Sequence, residues 1–216
     1  MKRLGQHKPT DWFAIWRDDR GVTMVELAIV IPLFLLLFFG MIDFGRMAFH
    51  YVTAEKAMHV AARVATVRPA ACPSVPQVNA RGPLQQNQVP PQFGTNCSAG
   101  ANTCANPGVI ACAGSAGNAT ANEIWGLLQG ALPNDATISN LRFVYSYDEN
   151  LGFLGGPYVP VVTVELQNLN FQFVSPLGAL VGLTGATAPA GLGATVSFPT
   201  MSVSMPAEDL SHGNTG

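Results

Sequence analysis

Residues 27–42 form sixteen consecutive positions without a charged side chain, and almost all of them are apolar. Extending the run back to Val22 gives twenty-one residues interrupted only by Glu26. At about 1.5 Å per residue an α-helix of that length covers the roughly 30 Å hydrocarbon layer of a bilayer. The chain as a whole has 11% charged and 48% hydrophobic residues, and the excess apolarity is concentrated in this one stretch. One spanning helix is therefore the expected anchor, leaving one modest external domain for the remainder of the 216 residues.

Lys2, Arg3, Lys8, Arg17 and Arg20 precede the run, against Asp11, Asp18 and Asp19. This basic excess predicts a cytoplasmic N-terminus and an exported C-terminus, although Arg46, Lys56 and Arg63 follow the span and weaken the bias. A cleaved secretory signal is the rival reading. The apolar run is long for one, and the nearest small-x-small site, Val52-Thr53-Ala54, falls where the chain still reads as helix. A net charge of -2 supplies no basic face for nucleic acid.

Glu26 has two readings. It either marks the interface just before the span, or it lies in the apolar layer, where a carboxylate costs about 2.5 to 3.5 kcal/mol on insertion scales unless paired. Gly21 supplies the context. A cut after it would create an ammonium on Val22, four residues before Glu26 and on the same helical face. Pro32 removes one backbone donor from the run and is expected to kink it.

Beyond the span, Met47, Tyr51, Ala54, Met58, Ala61 and Ala65 recur at spacings of three and four. They predict an amphipathic extension of the helix, giving about 70 Å from residue 22 to residue 67. Its apolar face serves either a neighbouring helix or the chain's own soluble domain. Arg68-Pro69 ends it. Residues 69–121 then read as irregular, being rich in Pro, Gly, Ala, Asn and Gln. They hold all four cysteines: Cys72, Cys97, Cys104 and Cys112. Two disulfides in an oxidising compartment are expected, with three pairings open; a zinc site is the alternative, but no C-x-x-C pair supports it.

Asn122 is the expected cap of a short helix reaching Gly130. Period-two alternation predicts strands over Phe143, Tyr145 and Tyr147, over Val162, Val164 and Leu166, over Leu169, Phe171 and Phe173, and over residues 195–205. The uncharged stretch 176–195 is too rich in glycine for a second span and reads as a connection between strands. The fold class expected is α+β: a long N-terminal helix, transmembrane half plus amphipathic extension, with a small antiparallel sheet domain towards the C-terminus. The expected segments are residues 1–21, a basic leader; 22–43, the transmembrane helix; 44–68, the helical extension; 69–121, the cysteine-bearing loop; and 122–216, the β-rich domain.

No catalytic constellation is visible. His7, His50, His59 and His212 are scattered without metal-ligand spacing, and His50 and His59 are expected to face solvent or another helix. Ala113-Gly114-Ser115-Ala116-Gly117 lacks the first glycine of a nucleophile elbow. No phosphate loop or dinucleotide fingerprint occurs, so no cofactor, metal or small-molecule substrate is expected.

A basic leader ending in Gly, a Glu at the fifth position after it and an apolar helix resemble the class III signal of type IV pilins and pseudopilins. Glu26-Leu27-Ala28-Ile29-Val30-Ile31-Pro32-Leu33, Asp43-Phe44-Gly45-Arg46 and Ala61-Ala62-Arg63 narrow this to a resemblance to the TadE-like family of tight-adherence pilus proteins, over residues 20–66. Residues 200–210 resemble that family's C-terminal strand and tail. Asp43 stands where Glu is common, and Val64-Ala65-Thr66 departs from the usual continuation.

The resemblance implies a minor pilin or pseudopilin of the bacterial inner membrane, cleaved by a prepilin peptidase and assembling with other pilins and the Tad secretion machinery of the Flp-type pilus. It makes Gly21 the cleavage position, Val22 the mature N-terminus and Glu26 the assembly carboxylate, with a periplasmic or extracellular C-terminal domain. Two other classes compete: an exported, signal-anchored protein binding a surface ligand through its cysteine loop, and an anchored enzyme.

Overall fold

The computed structural model describes residues 22–183, 185–187, 195–208 and 210. It divides into two units. Unit 1 comprises residues up to 44 together with 173–194, and unit 2 comprises residues 45–172 and 195 onward. Helix α1, Val22–Val67, is 46 residues long, contributes to both, and carries Pro32 without a break in its helical assignment. The long helix and the antiparallel sheet after it are the α+β arrangement expected from the sequence.

The centre of unit 2 is a four-stranded antiparallel sheet in the order β1-β2-β3-β6. Its strands are β1 Val109–Ala113, β2 Leu141–Ser146, β3 Val161–Leu166 and β6 Met201–Pro206. The register places Leu141 opposite Leu166, Phe143 opposite Val164 and Tyr145 opposite Val162. All six are buried, because a period of two puts alternate residues of each strand on the same face. Fully burying each such side chain is worth about 1.5 to 3 kcal/mol before conformational entropy is counted. The opposite face is polar, with Arg142 Nη1 3.2 Å from Glu165 Oε2 and the Thr163 and Ser204 hydroxyls 2.8 Å apart.

The part of α1 within unit 2 buries Ala54, Met58, Ala61, Ala62 and Ala65 completely. The amphipathic spacing thus serves, at these positions, the chain's own domain. Helix α2, Ala119–Leu128, adds Ala121, Ile124 and Leu128 to the core. Asn118 caps it by accepting from the Ala121 N–H at 2.9 Å. The cap therefore falls earlier than the expected Asn122, because Thr120 turns inward and donates to the Pro69 carbonyl at 2.7 Å.

Three further expectations are corrected. The stretch 69–121 is not wholly irregular, since it supplies β1 at a sheet edge. Only Ile110 and Cys112 of that strand turn inward and both are half-buried, while Val109, Ala111 and Ala113 are exposed. With apolar residues on both faces, the alternation that betrays a strand is missing. Residues 195–205 form two strands rather than one: β5 Thr195–Ser197 pairs with β4 Asn170–Gln172, and β6 pairs with β3. Pro199 lies between them and has no N–H for a ladder. The connection after β4 contains a seven-residue helix, α3 Leu177–Leu183, far too short to span a bilayer.

The cysteines pair at disulfide distance as Cys72 with Cys112 and Cys97 with Cys104, with Cα separations of 5.6 and 5.1 Å. The first pair joins the segment after α1 to β1. The second, with Leu154 and the half-buried Tyr147, makes a small separate cluster. Gly152, at φ +86°, lies against the Asn79 side chain, whose Nδ2 donates to the Pro157 carbonyl at 2.9 Å; a side chain at 152 would collide with it.

Candidate functional site

Within unit 1, α1 is apolar all round. Met24, Ile29, Phe34 and Met41 are 61 to 76% exposed, and none of the most apolar 18-residue window, with a mean hydropathy of 2.6, is buried. A helix in water hides its apolar stripe against a core. Here only the face through Pro32, Leu35, Leu36, Phe39 and Gly40 is half-buried and the rest of the apolar surface is exposed, and this helix is long and apolar enough to cross a membrane.

Glu26 is exposed on this helix, four residues after Val22, and has no ion-pair partner among the described residues. The i to i+4 spacing puts the two on one face, as anticipated. Gly21, the expected cleavage position, lies outside the described residues.

Asp43 closes the apolar stretch and is completely buried. Its Oδ1 accepts from the Val174 N–H at 3.3 Å, and its Oδ2 from the Ser175 N–H at 3.0 Å. Two backbone donors pointing at a carboxylate replace part of the hydration it gives up, which is the condition for burying an acid at tolerable cost. The Phe44 and Phe173 rings meet edge-on with centroids 5.5 Å apart alongside this contact. The sequence marks Asp43 only as a lone acid at the end of an apolar run; its partners, some 130 residues away, leave no trace in spacing.

In unit 2, His50, expected to face solvent or another helix, turns towards the residues after α2 and towards β4. It is half-buried, with Nδ1 3.2 Å from the Ala131 carbonyl and its ring 6.0 Å from that of Phe171. His59 remains exposed. Among the described residues no three His, Cys, Asp or Glu side chains gather as a metal site would require.

Taken together, an N-terminal helix open to its surroundings and a small disulfide-paired α+β unit define a class consistent with single-pass, membrane-anchored proteins. Within that class, residues 21–63 match the family model described as TadE-like protein. The match covers the apolar run, Glu26, Asp43 and most of the extension of α1, the same stretch whose motifs carry the resemblance in the sequence. No curated protein and no solved structure matches the chain.

Proposed function

We propose that this chain is a TadE-like minor pilin or pseudopilin, a membrane-anchored component of Flp-type pilus assembly that works by helix packing between subunits. The observation that carries the reading is the TadE-like match over a helix in which Glu26 is the one charged residue between positions 22 and 42. The N-terminus lies in the cytoplasm and the disulfide-bearing domain outside the inner membrane, as the basic leader favours.

In this reading residues 1–21 are a leader, 22–43 the span, 44–68 its helical extension, 69–121 the cysteine-bearing segment and 122–216 the β-rich domain. A prepilin peptidase cuts after Gly21 and releases the Val22 ammonium. Before the cut, Glu26 is an acid in or near the apolar layer with no ion-pair partner among the described residues; afterwards the new ammonium neutralises it, in the same subunit or a neighbouring one. Two opposite charges about 4 Å apart attract by about 4 kcal/mol at an effective dielectric near 20, enough to offset the insertion cost. Assembly with other pilins and the Tad machinery is thereby coupled to processing.

Mass spectrometry of the membrane-extracted protein from cells containing the peptidase tests the processing step. Val22 at the N-terminus is the expected result, and an intact leader under those conditions defeats it.

A further inference from the structure

We propose that residues 173–183 form a second membrane-contacting element, lying in the outer interface of the bilayer and held on the anchor helix by Asp43. The inference rests on the reading of α1 as the membrane anchor and adds an element that the span does not include.

The level of the segment follows from arithmetic on α1. Residues 22–42 use about 31 Å of helix, the whole hydrocarbon thickness, so Asp43 stands at the outer boundary. Val174 and Ser175, whose amides Asp43 accepts, stand at the same level. The segment belongs to the same structural unit as the span.

The chemistry of its outer surface matches that position. Leu177 and Leu180 turn inward at 2 and 8% exposure, while Val174 and Leu183 are 74 and 72% exposed; Pro176, Ala179 and Gly182 are also exposed. Between Glu165 and Glu208 the chain carries no Asp, Glu, Lys, Arg or His. An apolar surface without charge that continues the exposed apolar surface of the span is covered by the same medium as the span, the lipid. The backbone is compatible with such a place. The Leu177 and Leu180 amides donate to the Ser175 and Pro176 carbonyls at 2.8 and 3.0 Å, and the Val174 and Ser175 amides to the Asp43 carboxylate, so these four donors are paired as backbone near lipid requires. Asp43 is therefore a positioning residue that fixes the apolar segment at the depth where the helix emerges.

Site-directed nitroxide labels on the full, oxidised chain in liposomes of phosphatidylethanolamine and phosphatidylglycerol test this. Cysteines replace Val174, Leu183, Met41 and Val109, one at a time, and accessibility to oxygen is compared with accessibility to a water-soluble nickel chelate. Met41 reports the span, and Val109, exposed in unit 2, reports water. Labels at 174 and 183 are expected to show the lipid pattern of Met41, with an oxygen-to-nickel ratio several-fold above that of Val109. A lipid pattern at Met41 with a water pattern at 174 and 183 overturns the proposal alone, whereas a water pattern at Met41 overturns the anchor reading beneath it. Spin-spin broadening at 174 and 183 that disappears on dilution with unlabelled chain would show a second copy on this surface and also overturn it. Asp43→Ala is expected to move labels 174 and 183 towards the water pattern without changing Met41, and Asp43→Asn, which keeps an acceptor oxygen, to restore much of the lipid pattern. Unchanged labels in Asp43→Ala would remove the positioning role.

Discussion

Replacing each cysteine pair by alanines separates the two disulfides by the length of chain each one closes. Cys72 and Cys112 are 40 residues apart, and Cys97 and Cys104 are 7 apart. In the loop-closure description the entropy withheld from the unfolded chain corresponds to about 3.9 kcal/mol for the first at 25 °C and about 2.4 kcal/mol for the second. Cys72, Cys97 and Cys104 are buried and Cys112 is half-buried, so each double substitution removes two sulfurs from comparable surroundings. The packing losses then largely cancel, leaving a difference of about 1.5 kcal/mol from loop length. The assay is urea unfolding of the detergent-solubilised chain by the fluorescence of Trp125 in α2, in a background carrying Trp12→Phe and Trp16→Phe. Equal losses, or a larger loss from the Cys97/Cys104 variant, would refute the assignment of the longer loop to the greater stabilisation.

Two further outcomes follow from the core of unit 2. The Tyr158 hydroxyl is buried without a hydrogen-bond partner among the described residues, and burial, reinforced by Tyr147, pushes its pKa up from 10.0 to about 12. The fold therefore favours the neutral phenol: its contribution is complete below pH 10 and is lost as pH rises towards 12, a loss of about 3 kcal/mol. Tyr158→Phe is expected to abolish that part of the alkaline destabilisation in urea unfolding at stepped pH and to cost nothing at neutral pH, since it deletes an unsatisfied hydroxyl. A Cβ at Gly114 would overlap the Ile138 carbonyl oxygen and press on Leu141, so Gly114→Ala is expected to lose about 1 to 3 kcal/mol in the same unfolding assay.

The elements legible in the sequence are those whose own residues carry the full signal. α1 announces itself by twenty-one nearly uncharged residues and then by alanine and methionine at helical spacing; β2 and β3 alternate cleanly because one face is core and the other water. β1 hides because it is an edge strand with apolar residues on both faces, and the break at Pro199 because both flanking segments carry strand-like residues. The cysteine pairing needed coordinates, as spacing allows three connectivities. At the candidate site, Glu26 and Val22 are readable from one helical turn, whereas Asp43 acquires its role only when the chain returns at Val174 and Ser175. His50 was misplaced for the same reason: its partner Ala131 is 81 residues away.

The most direct test of the central claim is pilus number in a strain lacking this gene and complemented with Glu26→Gln. That change keeps the size and one acceptor oxygen, exchanges the other for an NH2 donor, and removes the charge that the Val22 ammonium would meet. The account predicts a protein present in the membrane at normal abundance with few or no assembled fibres; fibres at the level of the unsubstituted protein would contradict it.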